Sequence, residues 1–361
     1  MNLHSTDIFC TVIDNFGDIG VCWRLAQQLQ QEYGFNVRLW VDDLASFARL
    51  ESTLDPAMPK QSIHAIEVRL WRKDFPTDIE PYDIVIEGFG CRLPESFLQA
   101  MAIRSPKPVW LNLEYLSAER WTLDCHGLAS RHPGLALQQH FYFPGFDERS
   151  GGLLREKNLL QQRDQFQASV ELQQQFWRST GYPQAMHADY RLSLFAYEHA
   201  AVPALLTALS RQDQRVVVAV PAGRVLTSVQ QWAQSTLAIG DAITQGSVTV
   251  AVLPFLPSAQ YDRLLWACDL NLVRGEDSFI RAHWAGRPLL WQIYPQEENA
   301  HLDKLEAWLS VSKTFIDADW QTLQRGWVTE NTNVAFWSDI LAKLAKSRIA
   351  HRAFADSLSQ Q

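Results

Sequence analysis

Two short segments of this 361-residue chain place charged side chains next to glycines, where reactive groups often lie. The first segment, DNFGDIG at residues 14–20, contains Asp14 and Asp18 with glycines between and after them. The glycines allow a tight bend, so both carboxylates can point into one cleft and bind a cation or accept a proton. An alternative stays open for Asp18, because an aspartate just before a helix also caps it well. Asp14 lies too far upstream to serve as a cap.

The second segment, RGEDS, starts at Arg274 and joins a predicted strand to a predicted helix. Gly275 makes the turn, after which the N–H groups of a helix N-terminus attract a diphosphate, and Arg274 can add a bidentate contact. Ser278 can donate a hydroxyl. A diphosphate would repel Glu276 and Asp277, so at least one should turn toward sugar hydroxyls or act as a helix N-terminal charge. Capping of the helix is the alternative role for Asp277. For Glu276 we favour a role in the functional site.

Aromatic side chains between these segments are candidates for binding a nucleotide base. Phe195 and Tyr197 follow a predicted strand, and Phe255 lies in the loop PFLP, with Gln260 as a weaker candidate nearby. Stacking of a base on an aromatic ring is worth about 1–3 kcal/mol, although a single aromatic residue more often fills a core. No phosphate-binding P-loop, HExxH or GxSxG motif is present, and the histidines lack ligand spacing, so we expect no metal.

Strands alternate with helices in both halves of the chain, which predicts an α/β protein with two parallel sheets facing a cleft. We expect a first Rossmann-like domain over residues 1–178 and a second over residues 179–344, with a last helix, 345–361, that packs back on the first domain. The predicted strands are 8–13, 35–41, 84–87, 109–113, 192–195, 216–220, 248–253, 270–273 and 289–291. One predicted helix starts at Val21, and four others span 200–209, 259–268, 279–285 and 302–309. Helical spacing also occurs in the connection between the domains, 147–186.

Composition narrows the class of protein. With 47% hydrophobic and 20% charged residues the chain is typical of a globular protein. The net charge of −8 disfavours a nucleic-acid partner. No apolar run is long enough to span a membrane, and no secretory signal is visible. The five cysteines form no CxxC pair, so we expect neither zinc nor disulfides, and a cytoplasmic location.

Four runs of sequence resemble one family, the elongation factor P arginine rhamnosyltransferases, and the resemblance extends over nearly the whole chain. The runs are FCTVIDNFGDIGVCWRL, SLFAYE, RGEDSF and WQIYPQ. The resemblance implies a bacterial cytoplasmic enzyme of GT-B fold that uses dTDP-β-L-rhamnose, inverts the anomeric centre and needs no metal or other cofactor. Its implied partner is elongation factor P, on which one arginine is modified so that the factor supports translation of polyproline stretches.

The resemblance also implies roles for individual residues. The catalytic aspartates fall on Asp14 and Asp18, with Asp18 as general base, and Glu276 joins the catalytic set. Combined with the residue types discussed above, the predicted donor-binding set is Asn15, Phe16, Gly17, Phe195, Tyr197, Phe255, Gln260, Arg274, Gly275, Asp277 and Ser278.

Three rival interpretations remain open at this point. The chain could be a GT-B enzyme with another acceptor, such as a lipid or glycan. It could be a nucleotide-sugar epimerase or hydrolase of the same architecture, which would consume donor without a protein acceptor. It could also bind elongation factor P without catalysis.

Overall fold

The computed structural model describes residues 4–13, 17–72 and 74–360, with the side chain of Glu297 left out. The chain divides into two compact units, residues 1–156 and 157–361. The predicted boundary at residue 178 lies further along the chain. The difference arises because the helix that starts at Leu159 packs against helices of the second unit.

The first unit contains an eight-stranded sheet and four helices among its described residues. Its strands are β1 Ser5–Cys10, β2 Asn36–Val41, β3 Lys60–Ile63, β4 Ile66–Leu70, β5 Ile84–Gly88, β6 Val109–Leu113, β7 Ala129–Arg131 and β8 Gln138–Tyr142. Its helices are α1 Gly17–Tyr33, α2 Leu44–Leu50, α3 Glu95–Ile103 and α4 Arg120–Cys125. The strand order is β3-β4-β2-β1-β5-β6-β8-β7, with β3 and β7 antiparallel to their neighbours and the other pairs parallel.

Strand β1 is the centre of this sheet, because the chain passes first to one side of it, at β2, and later to the other side, at β5. Its residues from Thr6 to Cys10 are buried on both faces, which explains the continuous apolar run. In an open α/β sheet, ligands bind beyond the carboxyl ends of the strands where the order reverses. We call the loops that follow β1, β5 and β6 the first carboxyl edge.

The second unit contains a six-stranded sheet in its described part. Its strands are β9 Tyr190–Leu194, β10 Val216–Pro221, β11 Ala242–Gln245, β12 Val248–Leu253, β13 Leu270–Arg274 and β14 Leu289–Gln292. Its helices are α5 Leu159–Ala168, α6 Val170–Ser179, α7 Val202–Leu209, α8 Leu226–Ala233, α9 Ser258–Ala267, α10 Asp277–Ala285, α11 Ala300–Ser312, α12 Ala318–Val328 and α13 Ile340–Leu358.

The order of the second sheet is β11-β12-β10-β9-β13-β14, and only β11 runs antiparallel to its neighbour. Strand β9 is flanked by β10 and β13, so the order reverses here as it does at β1. We call the loops that follow β9, β12 and β13 the second carboxyl edge. Two α/β units with mostly parallel sheets confirm the predicted fold class.

The last helix, α13, packs against α10 and α12 within the second unit. The expectation that residues 345–361 pack back on the first domain stays a prediction. The predicted connection is resolved into α5 and α6, which meet at Ser169. The Ser169 hydroxyl accepts a hydrogen bond from the Leu172 amide, so this residue ends one helix and caps the next.

Candidate functional site

Asp18 lies in the first turn of α1, at the first carboxyl edge. It is only 5% exposed, and its Oδ2 accepts a hydrogen bond from the Ile13 amide at 3.1 Å. The capping alternative placed Asp18 before the helix, which is wrong, because the helix already begins at Gly17. A carboxylate in the first turn is favoured in its ionised form by the helix dipole.

A second carboxylate, missed from the sequence, supports the same loop. Asp42 directly follows β2, and its Oδ1 accepts a hydrogen bond from the Val12 amide at 2.8 Å. Burial raises the pKa of Asp42. Two carboxylates from different elements therefore hold the consecutive amides of Val12 and Ile13, which fixes the path of the chain after β1. No local pattern of residues indicates this contact, because 30 residues separate the partners.

Asp14, Asn15 and Phe16 lie outside the described residues, so their predicted catalytic and donor-binding roles stay predictions. Gly17 is described and is the first residue of α1.

Arg274 is the last residue of β13 and lies between two aromatic rings at the second carboxyl edge. Its guanidinium carbon is 4.8 Å from the centre of the Phe195 ring and 4.4 Å from that of the Tyr197 ring. The side chain is 7% exposed. Cation–π contacts of this kind hold a planar guanidinium in a fixed orientation. The structure thus brings together three side chains that the sequence assigned to the donor.

The turn after Arg274 requires a glycine. Gly275 has a φ of +62°, a conformation that other residues adopt only with strain. Its carbonyl accepts a hydrogen bond from the Trp291 indole at 2.7 Å, and Tyr197 is held by a hydrogen bond from its amide to Gln292 Oε1. Strand β14 therefore supports both the turn that leads into α10 and the loop after β9.

The two carboxylates at the start of α10 have cationic partners. Glu276 Oε1 accepts a hydrogen bond from Lys304 Nζ of α11 at 2.9 Å, with both side chains largely buried. Asp277 accepts from Arg281 Nε at 2.6 Å, and Arg281 also donates to Asp262 of α9 at 2.9 Å. These pairs offset the repulsion that two bare carboxylates would exert on an anion. Capping is not the role of Asp277, which lies inside the first turn.

Ser278, in the first turn of α10, faces the hydroxyl of Tyr261 on α9. Burial raises the pKa of that phenol. Tyr261 also contacts Phe195 edge to face, with the ring centres 5.4 Å apart. Phe195, which contacts both Tyr261 and Arg274, thereby connects α9 to this edge.

Phe255 and Gln260 flank the start of α9. Phe255 is half-buried in the loop between β12 and α9, and Gln260 lies in the first turn of that helix. The side-chain oxygen of Gln260 is buried and accepts no hydrogen bond from any residue that the structure describes. A ligand N–H group would satisfy it. The sequence missed Lys304, since it contacts Glu276 across 28 residues and nothing around it marks a site.

The two edges differ in what they can bind. The first offers carboxylates, which suit a cation, while the second offers an arginine, a glycine turn and a helix N-terminus, which suit a phosphorylated ligand. In the described ranges no group of three or more His, Cys, Asp or Glu is arranged to hold a metal ion. Every helix described is too short or too polar to traverse a bilayer.

Comparisons with known proteins point to one family. The family model for the elongation factor P (EF-P) rhamnosyltransferase EarP matches residues 6–361. A protein-arginine rhamnosyltransferase of Pseudomonas aeruginosa is 47% identical over 357 residues, 98% of this chain and 94% of that protein. One from Neisseria meningitidis serogroup B is 40% identical over 316 residues, 85% of this chain and 78% of the relative.

A solved structure is similar over the whole length. It was described as the structural basis for EarP-mediated arginine glycosylation of translation elongation factor EF-P. It is 34% identical, with a TM-score of 0.68, and the alignment covers 99% of this chain and 94% of that one. The likeness agrees with the predicted GT-B class. The chain therefore belongs to the EF-P rhamnosyltransferase family and is a glycosyltransferase.

Proposed function

We propose that this protein transfers L-rhamnose from dTDP-β-L-rhamnose to an arginine side chain of EF-P, with inversion at the anomeric carbon and without a metal. The family membership and the names of the relatives support the acceptor and the sugar. The product is the modified factor that supports translation of polyproline stretches, in a cytoplasmic reaction.

The observation that carries the proposal is the guanidinium of Arg274, held between the rings of Phe195 and Tyr197 at the start of α10. A diphosphate bound here would meet a fixed fork of donors together with the N–H groups of a helix N-terminus. When the glycosidic bond breaks, negative charge grows on the diphosphate. Donors already in place stabilise that charge without reorganisation, which is the task that a metal performs in other enzymes.

The neighbouring residues favour a nucleotide whose base carries an N–H donor. The flat faces of Phe195 and Phe255 suit a pyrimidine. The buried oxygen of Gln260 is an acceptor that the described residues leave unsatisfied, and the N3–H group of thymine would satisfy it. We assign Glu276 to a sugar hydroxyl, because its contact with Lys304 holds the carboxylate in place as an acceptor beside the turn.

The acceptor is chemically demanding, because an arginine has a pKa near 13 and an aspartate about 4. Complete proton transfer before attack would therefore be uphill by about 12 kcal/mol. We propose instead that Asp18 holds the cation and directs its charge onto the nitrogens that do not attack. The second aspartate of this predicted clamp is Asp14.

The proton leaves as the C–N bond forms, when the attacking nitrogen becomes far more acidic. One guanidinium nitrogen attacks the anomeric carbon and the carbon–oxygen bond to the diphosphate breaks. The nitrogen gives its proton to Asp18, and dTDP leaves with the electron pair. The products are rhamnosyl-arginine, dTDP and a proton that Asp18 passes to water.

Intact-mass spectrometry of EF-P after incubation with the protein and dTDP-rhamnose tests the reaction. We expect one added deoxyhexose, located on an arginine by fragmentation, and none on a factor whose acceptor arginine is lysine. Consumption of donor with unmodified EF-P would point to a hydrolase or epimerase. No donor consumption, with EF-P bound, would point to a binder without catalysis, and transfer only to a lipid or glycan would identify another acceptor.

A further inference from the structure

Arginine side chains gather at the edge of the second sheet where its parallel strands begin. Strand β13 lies between β9 and β14 and pairs in parallel with both. Continued to the residues that precede β13 and β14, these registers place Asp269 between Arg191 and Arg287. Residues paired across a sheet point to the same face, so the three side chains share one face. The Asn271 amide donates to the Pro288 carbonyl at 3.0 Å, which holds the two chain segments together at this point.

A third arginine reaches Asp269 from the helix α13. Arg348 Nη1 lies 4.0 Å from Asp269 Oδ1, and Arg191 Nη2 lies 3.8 Å from Oδ2. Both distances exceed that of a hydrogen bond, and Oδ2 accepts instead from the Arg191 amide at 2.9 Å. Arg287 is near enough that the charges of Asp269, Arg191 and Arg348 all act on its pKa. One carboxylate therefore faces the guanidinium groups of Arg191, Arg287 and Arg348, which we call the arginine cluster.

The positive charge of the arginine cluster is only partly compensated. The Nε–H groups of Arg191 and Arg287 are buried and donate no hydrogen bond to any residue that the structure describes. Burial, together with the charge of Arg348, lowers the pKa of Arg287 to about 10. Buried donors without acceptors are uncommon in folded proteins and are normally satisfied by a ligand or water. An anion beside the cluster would supply the missing acceptors and offset the unfavourable burial of the Arg287 charge.

The carbonyl groups at the end of α10 have donors other than Arg287. A cation that directly follows a helix often binds the last carbonyls, which would be the simplest structural role for Arg287. Here Arg163 Nη1 of α5 donates to the Trp284 carbonyl at 2.9 Å, and Gln167 Nε2 donates to the Ala285 carbonyl at 3.0 Å. Arg287 is therefore left to face Asp269 and the other arginines.

The arginine cluster is separate from the predicted diphosphate site. The two lie at opposite ends of β13, which runs from Leu270 to Arg274. At about 3.3 Å per residue the strand is roughly 16 Å long, so a single phosphate group cannot contact both ends. An anion at the cluster would therefore be a second ligand of this unit.

We propose that the arginine cluster binds a phosphate dianion, as the free ion or as the phosphate group of a small ester. Three guanidinium groups and one carboxylate leave a net charge of about +2, and a phosphate monoester carries about −1.5 to −2 near pH 7. The planar fork of an arginine matches two phosphate oxygens. The Arg348 side chain is 55% exposed, so the cluster opens to solvent and an ester group can extend outward. The inference does not depend on the proposed function.

Calorimetric titration of the intact protein with inorganic phosphate, in a buffer without other oxyanions, tests the site. We expect wild-type binding to persist in Arg274→Ala, which removes the arginine of the donor turn, and to weaken about ten- to hundredfold in Arg287→Met. Arg348→Ala should weaken binding by a smaller factor, because that side chain is partly solvated. Lys346→Ala removes an exposed cation of the same helix and is the matched control, which should bind phosphate as the wild type does.

Phenyl phosphate, titrated in the same way, distinguishes the two sources of the phosphate group. Binding at least as tight as that of inorganic phosphate, and weakened in Arg287→Met, would identify an ester as the ligand. Binding of inorganic phosphate alone would identify the free ion. Either result supports the site.

Thermal unfolding gives a second readout. Without phosphate, Arg287→Met should unfold at the wild-type midpoint or above it, because the variant lacks a poorly compensated buried charge. A lower midpoint in phosphate-free buffer would assign Arg287 a structural role and overturn the proposal. A wild-type protein that does not bind phosphate, or phosphate binding that Arg287→Met leaves unchanged, would overturn it as well.

Discussion

The two carboxyl edges of this protein have the same topology and opposite chemistry. In each unit a central strand, β1 or β9, is flanked by strands reached in opposite directions along the chain. The first edge carries Asp18, in the first turn of the helix that follows β1, whereas the second edge carries Arg274 at the end of β13. The comparison shows that strand order determines where a ligand can bind and that a few loop residues determine which ligand it is.

The edges also differ in how their charges are held. In the first unit, Asp18 and Asp42 accept hydrogen bonds from the backbone amides of Ile13 and Val12. In the second unit, Glu276 and Asp277 are paired with Lys304 and Arg281. The first edge therefore holds these carboxylates through backbone amides, and the second holds its carboxylates through cationic side chains.

The largest effect on transfer is expected for Asp18→Asn, which removes the proposed base at the first carboxyl edge. The asparagine oxygen can still accept from the Ile13 amide, so the fold should persist. Transfer to EF-P should fall about a thousandfold or more, the range expected for loss of a general base, while calorimetric affinity for dTDP-rhamnose stays the same. Asp55→Asn, at an exposed position of the same unit, is the control. Wild-type turnover in Asp18→Asn would contradict the base role.

Acidification should change the stability of the two units differently, because the described histidines whose pKa is lowered all lie in the second unit. Burial lowers the pKa of His199 to about 4, of His283 to about 3 and of His351 to about 4. Unfolded histidine titrates near 6.5, so the unfolded state binds more protons as the pH falls below that value. The second unit should lose roughly 6 kcal/mol of stability between pH 6.5 and 4.5.

The first unit should show the opposite trend over the same range. Burial raises the pKa of Glu87 and Glu114, so the folded state binds more protons than the unfolded state and gains stability as pH falls. Hydrogen exchange followed by peptide at pH 6.5 and 4.5, with intrinsic exchange rates corrected for pH, measures both units in the intact chain. Equal loss of protection in both units would refute this difference.

A smaller effect is expected for Arg274→Ala, on the donor side. Loss of the guanidinium between the two rings should weaken binding of dTDP-rhamnose about ten- to hundredfold in calorimetry. Arg274→Lys should recover only part of it, because an ammonium lacks the planar fork. Arg263→Ala, an exposed arginine on α9, should have no effect. Unchanged donor affinity in Arg274→Ala would exclude a diphosphate at this turn.

The smallest effect should come from Lys304→Met, which removes the partner of Glu276. We expect kcat to fall about tenfold, the effect of losing roughly 1.4 kcal/mol of positioning, with EF-P binding unchanged. Lys304→Arg should restore most of the rate, and Lys313→Met on an exposed residue should change nothing. If Lys304→Arg is as slow as Lys304→Met, the ion pair is not what positions Glu276.

Much of the fold could be predicted because buried parallel strands are continuous apolar runs. The predicted strands 109–113 and 248–253 match β6 and β12 in both bounds. The prediction 8–13 was displaced, since pairing of β1 with β2 ends at Cys10 and the apolar residues beyond it belong to the loop. The edge strands β3 and β7 were missed because their residues are mostly exposed and form no apolar pattern.

The site was predictable where its residues are adjacent in the chain. The segment from Arg274 to Ser278 carries its own signal, a charged and glycine-containing turn between strand and helix. The supporting contacts are not local. Lys304, Asp42 and Arg281 act through partners on other elements. Tertiary pairing of this kind leaves no mark in residue type or spacing.

The central claim is that the two carboxyl edges bind ligands of opposite charge. Hydrogen exchange of the intact protein, measured with dTDP alone and with EF-P alone, tests it most directly. The account predicts that dTDP slows exchange in peptides that cover residues 195–197 and 275–280, and that EF-P slows it at residues 17–20. Protection of residues 17–20 by dTDP, or of residues 275–280 by EF-P alone, would contradict it.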